Sequence, residues 1–466
     1  MTRPNIILII SDTVRYDYCG FNGNDWAQTP NLDALARESA VMDNHYVASF
    51  PTGPMRKDTH SGRFTFAYTN WGGERPTDEA VLGEILRDAS YTTAYIGDTN
   101  NSRQYLSGFE HLEMVSRNGA RLDLVPETVE LTAHPDKLRF PMAYAQKIRR
   151  NSLAWDGEAD RPVARSARAA HRWLEDHAHD DKPFFLWFDT FDPHEPWDEP
   201  RHYIDLYDKG YKGDELMEPA YQSAGYASKR EIRHMRCMYA GKLTMVDRWI
   251  GFLLDGVRLM GLMDNTVIVF TSDHGFYHGE HNLIGKVRLA REGVVVGRWP
   301  LYSSISHTPL IIHLPGRMRA KRWKAFCQPP DITATILDVA RVRPPKRVQG
   351  QSLLPVIQGK RRANRDIAVS TMTHITDEQV RCPAAIRNRK YLYVYGGDEW
   401  QSELFDLQND PDETRNVIRK NRKEAEKLHG KYIEFLRMIG CPQSSIEARS
   451  EFNPKPRKDV PEKKLM

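Results

Sequence analysis

Short β-rich runs alternate with helical stretches along most of this chain, and that alternation restricts its fold more than any other feature. The first run, Asn5 to Ile10, contains the apolar block Ile6 to Ile10 and is closed at once by Ser11-Asp12. Further candidate strands are Thr92 to Ile96, Phe184 to Phe188, Thr266 to Thr271 and Pro309 to His313. Between them lie helical patterns. Val81, Leu82, Ile85, Leu86 and Ala89 share one face behind Thr77, a candidate N-cap, and a long helical region runs from Arg230 to Leu262. Strand, helix, strand as the repeating unit predicts an α/β fold, a large mixed and mostly parallel sheet sandwiched by helices.

At 466 residues the chain exceeds what one small core organises, so a large α/β unit with a smaller companion is expected. After about residue 365 the pattern changes to short alternating segments such as Tyr391 to Tyr395, then a charged helical stretch near Lys420 to Met438. This predicts a large α/β domain over 1–365 and a small α+β subdomain with an antiparallel sheet over 366–441. A polar tail over 442–466 is loose or reaches a neighbouring subunit of a homo-oligomer.

Composition narrows the function classes. Lys plus Arg number 66 against 62 Asp plus Glu, and the basic residues are dispersed, which argues against nucleic acid as the main partner. Five scattered cysteines without a CxxC pair exclude a disulfide framework or zinc knuckle. The Ile6 to Ile10 block is too short for a signal segment or a membrane helix, so no membrane partner and a cytoplasmic location are expected.

Asp12 closes the first predicted strand and Asp273-His274 close the Thr266 strand, so two carboxylates and an imidazole can meet at the carboxyl edge of one sheet. Open α/β sheets place their ligands there. Such a set suits one divalent cation. Strand-end aspartates also cap helices and turns, and the residues alone leave both readings open.

Five segments occur in a recognisable order: PNIILIISD (Pro4 to Asp12), TPNLDAL (Thr29 to Leu35), FDPHEP (Phe191 to Pro196), NTVIVFTSDHGFYHGEHNLIGK (Asn265 to Lys286) and ELFDLQNDPDETRN (Glu403 to Asn416). In this order and spacing the chain resembles the sulfatase branch of the alkaline phosphatase superfamily. HGEHNLIGK and TGPMR are especially similar to its phosphonate monoester hydrolase and phosphodiesterase members. The resemblance implies an alkaline phosphatase-like fold and a small anionic ester as substrate. It also places Thr52, in FPTGPMR, where sulfatases carry the cysteine or serine that is oxidised to formylglycine. Threonine bears a methyl on that carbon and could yield only a ketone, so it must act as threonine.

The resemblance further implies that Asp12, Thr52, Asp273 and His274 hold one divalent metal ion. Ser11-Asp12 and Asp273-His274 stand where the usual sulfatase pattern has Asp-Asp and Asp-Asn, so one carboxylate is exchanged for an imidazole nitrogen. That favours manganese or zinc, with calcium or magnesium as alternatives. Thr52 is then the nucleophile, forming a covalent intermediate, and Arg56 steadies either it or the ester. His194, as a protonated donor, and Lys286 serve the substrate's oxygens and leaving group. Asn70, Thr99 in the Asp98-Thr99-Asn100 turn, and His281 are further substrate contacts. Taken singly, each of these residues also has an ordinary structural reading.

Three functions follow: a metal-dependent phosphoesterase, acting on phosphodiesters or on phosphate or phosphonate monoesters; a sulfatase working without formylglycine; or a non-catalytic binding protein of this fold. The stretch from Arg288 to Leu301 is expected to form a lid, a subunit contact or a plain surface loop.

Overall fold

Every residue of the Asn5–Ser11 strand is buried, because the strand lies at the centre of the sheet. It pairs in parallel with Phe184–Thr190 on one side and Thr266–Ser272 on the other. Both sheet faces are covered, so its side chains alternate between two apolar layers rather than between core and water. Ile7 and Ile9 pack with the helices Pro162–His177 and Lys229–Leu259, whereas Ile6, Leu8 and Ile10 pack with Leu82–Asp88 and Pro329–Val339. The computed structural model describes residues 3–69, 71–99, 101–316, 321–372 and 381–452.

The sheet has eight strands in the order Lys321–Cys327, Ala40–His45, Leu310–His313, Thr266–Ser272, Asn5–Ser11, Phe184–Thr190, Thr92–Gly97, His111–Met114. Leu310–His313 runs antiparallel to both its neighbours. The other pairings are parallel, which makes the sheet mixed and mostly parallel, as the pattern predicts. Register aligns the strand ends. Ser11 stands opposite Thr190 and Ser272, and Gly97 opposite Asp189. Asp12, Asp98, Asp189 and Asp273 therefore gather at one carboxyl edge.

The four-stranded antiparallel sheet Ala368–Thr371, Ala384–Arg387, Tyr391–Tyr395 and Glu403–Asp406 carries the helix Arg422–Met438. Its core includes Ala48, Phe64 and Phe66 from the N-terminal part of the chain. Phe50 N–H donates to Thr371 O, and Thr371 N–H to Ala48 O, so the smaller sheet pins the segment that leads into Thr52.

Two local expectations need correction. The helix expected behind Thr77 starts at Leu82 with Val81 preceding it, because Glu84 reaches back to the Val81 amide and closes the first turn there. The segment after Pro442 opens as a packed helix, Gln443–Ala448, with Ile446 and Arg449 buried, rather than as a loose tail. Residues 453–466 lie outside the described residues. Between Arg288 and Leu301 the chain forms a hairpin of Arg288–Leu289 with Val295–Gly297, whose Val294, Val295 and Val296 are exposed. Among the described residues no helix is long and apolar enough to cross a membrane.

Candidate active site

Thr52 is the first residue of the helix Thr52–Ser61, which is buried along nearly its whole length. Buried Asp58 fixes the approach to it, accepting from the Ser49 amide and hydroxyl at 2.9 and 2.7 Å and from the Thr65 amide and hydroxyl at 2.7 and 2.6 Å. Burial pushes the Asp58 carboxyl up to about 7 despite those four donors. The helix amino terminus puts a partial positive charge beside the Thr52 oxygen, which favours an anion there.

The Thr52 hydroxyl lies 3.1 Å from His274 Nε2. His274 Nδ1 is 2.9 Å from Gly275 O, which can only accept, so Nδ1 carries the hydrogen and Nε2 presents its lone pair to Thr52. Burial holds the imidazole down to about 3, against the opposing pull of Asp273. A neutral His274 results. Its ring nitrogen and the carboxylates of Asp12 and Asp273 bring one donor atom each to within 4.8 Å of one another, all three side chains being buried. Burial and the neighbouring Asp273 push Asp12 well above the usual carboxylate range. Asp273 is equally buried, yet His274 and Arg56 hold it below that range. Two carboxylates crowded this way, beside an imidazole with an aimed lone pair, fit a divalent ion.

Arg56 is fully buried and engages three carboxylates. Nε and Nη2 donate to the two Asp189 oxygens at 2.8 Å each, and Nη1 donates to Asp273 at 2.7 Å, to Asp12 at 3.4 Å and to Thr52 O at 3.2 Å. Its bidentate edge is therefore committed to Asp189 rather than to an ester, and it reaches Thr52 through the backbone carbonyl. Tyr95 and Asn101 also donate to Asp189, at 3.2 and 3.1 Å. Sequence reasoning missed Asp189, although it ends the apolar strand FFLWFDT just as Asp12 ends its own.

Thr13 is a second residue the sequence did not announce. It adopts a left-handed backbone with φ of 65°, strained for a β-branched residue. From there its amide donates to Asp273 at 2.9 Å, its hydroxyl donates to Asp12 at 2.6 Å, and Lys286 Nζ donates to that hydroxyl at 3.3 Å. Lys286 thereby lies 3.9 Å from Asp12.

His194 stacks on Phe191 with ring centroids 4.0 Å apart, and its Nδ1 meets Glu195 O at 2.6 Å and Glu195 Oε2 at 3.1 Å. Burial and the nearby charge of Lys286 hold it well below its ordinary range. The expected protonated donor is thus, in this state, a neutral ring whose Nε2 carries a lone pair. Glu195, another unanticipated residue, accepts from the Tyr221 hydroxyl and from Arg139, the latter at 3.4 Å.

The remaining candidates do not join this cluster in the same way. Thr99 is buried at the end of its strand and its hydroxyl makes no hydrogen bond among the described residues. Its neighbour Asp98 ties that strand end to the Pro162–His177 helix and to the end of the Phe184–Thr190 strand by accepting from the Ser166 hydroxyl and the Phe191 amide. His281, at φ of 54°, stacks on Tyr302 at 3.8 Å and lines a separate cleft of about 710 Å³ with Arg15, Tyr16, Asp17, Arg236 and Glu280. Asn70 and Asn100 lie outside the described residues.

Comparison with known proteins identifies the family. Residues 4–342 match the family model described as Sulfatase, and residues 295–436 match that described as N-sulphoglucosamine sulphohydrolase, C-terminal. An arylsulfatase of Clostridium perfringens is 26% identical over 490 residues, covering 96% of this chain and 95% of its own. The multifunctional alkaline phosphatase superfamily protein PehA of Trinickia caryophylli is 25% identical over 499 residues, covering 90% and 91%. Among solved structures, phosphonate monoester hydrolase of Agrobacterium radiobacter superposes with a TM-score of 0.74 at 22% identity, covering 94% and 95%. With its eight-stranded sheet, antiparallel C-terminal sheet and acidic, histidine-bearing edge, the chain belongs to the sulfatase family of the alkaline phosphatase superfamily and is a hydrolase of ester bonds.

Proposed function

We propose that this hydrolase acts on phosphorus esters, diesters or phosphate or phosphonate monoesters, with Thr52 as the covalent nucleophile. One observation carries the reading: an unmodified threonine hydroxyl, at a helix amino terminus, 3.1 Å from an imidazole lone pair. A formylglycine hydrate expels sulfate through its second hydroxyl, whereas an esterified threonine has no such exit and must be released by attack on the central atom. Phosphorus supports that second displacement readily.

Asp12 and Asp273 would hold the metal ion together with His274, through the Nε2 lone pair that otherwise faces the Thr52 hydroxyl, and the nitrogen ligand favours manganese or zinc. When bound, a divalent ion supplies positive charge that lowers the pKa of a hydroxyl and polarises an ester oxygen. The chain's own residues do the rest. Thr52 Oγ, its proton released to solvent, attacks phosphorus in line, forming the Oγ–P bond as the bond to the leaving oxygen breaks; Lys286 neutralises the charge on the departing oxygen, which then takes a proton from solvent. Water then attacks the phosphothreonine, giving a proton to the free Nε2 of His194, and the P–Oγ bond breaks with Thr52 regaining a proton. Arg56 keeps the Thr52 turn and both metal-site carboxylates in place throughout.

Purified, metal-loaded enzyme assayed in parallel against aryl phosphate mono- and diesters, a phosphonate monoester and an aryl sulfate is expected to favour a phosphorus substrate. Sulfate hydrolysis faster than every phosphorus ester would establish the second reading, a sulfatase working without formylglycine, which the likeness to an arylsulfatase favours. Elemental analysis is expected to find one ion per chain. At free metal a hundredfold above Kd that ion stabilises the fold by about 2.7 kcal/mol, so chelation should lower the melting temperature, and Asp273→Asn should lose both the ion and the shift. Two stoichiometric ions per chain would contradict the site described.

A further inference from the structure

Trp71 is 53% exposed, yet it stands directly against the turn that carries the nucleophile. Three atoms of its six-membered ring lie 3.6, 3.6 and 3.7 Å from the point where a Cβ on Gly53 would project. Near-equal distances to three atoms of one ring place that point over the ring face, so the indole covers Gly53 face-on and turns its other side toward solvent. Lys57, itself buried on the nucleophile helix, donates to Trp71 O at 3.1 Å and to Gly73 O at 2.8 Å. Two residues further along, the Arg75 amide donates to Gln104 Oε1 at 2.7 Å. The loop is thus fastened to the same helix that begins with Thr52, and an indole held this way meets a ligand with little further loss of conformational freedom.

We propose that Trp71 is a specificity-determining residue, a stacking platform for the ring of a cyclic leaving group, either an aryl ring or a pyranose. This rests on the reading of Thr52 as the residue that attacks the ester. Lys286 and His194 supply a polar half for the anionic head, and the open indole face supplies the apolar half that a ring requires. A methyl or other small alkyl ester cannot cover that face.

Binding is measured by calorimetry on the metal-loaded Thr52→Ala protein, where turnover does not interfere, using methyl phosphate, phenyl phosphate and glucose 6-phosphate as probes. At least one ring-bearing probe is expected to bind about 10-fold more tightly than methyl phosphate, the scale of one stacked aromatic contact. Adding Trp71→Ala should reduce that ratio to about 2-fold or less while leaving methyl phosphate unchanged, and Trp71→Phe should keep most of it, which separates stacking from a folding defect. The phenyl and glucose arms distinguish an aryl from a sugar ring. An equal loss for all three probes, or a changed oligomeric state with no change in the ratio, would overturn the proposal. If phosphorus probes do not bind but methyl and phenyl sulfate do, the phosphorus reading fails, and the ring-to-methyl ratio taken on the sulfates decides the role of Trp71 by the same criterion.

Discussion

Replacing Thr52 with alanine is expected to lower kcat/KM for every ester the wild type hydrolyses by about 10⁴-fold or more, the scale seen when a covalent nucleophile is removed. Among the described residues the hydroxyl is the group at the helix amino terminus positioned against the His274 lone pair, and no other hydroxyl there takes its place. Thr52→Ser keeps the oxygen and loses only a methyl from a side chain already 7% exposed, so it should retain activity within about 10-fold of wild type. Acid quenching during turnover should trap a phosphoryl group on the peptide that contains Thr52, and the same peptide from Thr52→Ala should carry none. Activity in Thr52→Ala within 10-fold of wild type, with the metal bound and the fold intact, would remove Thr52 from the reaction and return the site to a water nucleophile.

The sheet and the meeting of Asp12, Asp273 and His274 at its edge were legible because both rest on local signals. Apolar runs ended by carboxylates locate the strands and also their carboxyl edge, since parallel pairing brings Asp12 and Asp273 together without any knowledge of what lies between. Asp189 carries the same mark at the end of FFLWFDT and could have been found by the same rule. Thr13 and Glu195 could not. Their roles depend on a left-handed turn and on a buried tyrosine and arginine distant in sequence, and neither leaves a periodic trace. Thr77 failed as a cap because the Glu84 side chain chose Val81 as the helix start, a competition between two local hydrogen bonds that pattern alone does not decide. His281 sits within a motif that reaches the site at Lys286 yet itself turns toward another cleft, because consecutive positive φ values at His281 and Asn282 swing the chain aside. Protonation states were equally out of reach from sequence, since the neutrality of His194 comes from burial and from Lys286, which is far away along the chain.

Arg56→Met is expected to destabilise the protein by about 3–5 kcal/mol, the cost of removing one partner from a buried charge cluster, and to abolish activity. A total stability of about 5–15 kcal/mol is typical of a folded domain, so this one change would consume a large part of it. The reason lies in the arithmetic of the cluster. Asp12, Asp189 and Asp273 are all buried, and Arg56 is the cation that touches all three. A bound divalent ion can compensate Asp12 and Asp273, but Asp189 faces the opposite side of the guanidinium and would keep only the hydroxyl of Tyr95 and the amide of Asn101. Arg56→Lys should be nearly as damaging, because an ammonium cannot reproduce the two parallel 2.8 Å bonds to Asp189 together with the contact to Asp273. The double variant Arg56→Met, Asp189→Leu removes the stranded carboxylate and should recover 2 kcal/mol or more of the loss, as coupled neighbours do, without restoring turnover. Urea denaturation of the wild type, Arg56→Met, Asp189→Leu and the double variant in saturating metal reads these differences directly. Stabilities that simply add, with the double variant no better than the sum of its parts, would mean that Arg56 and Asp189 are not the coupled pair on which the Thr52 turn is seated.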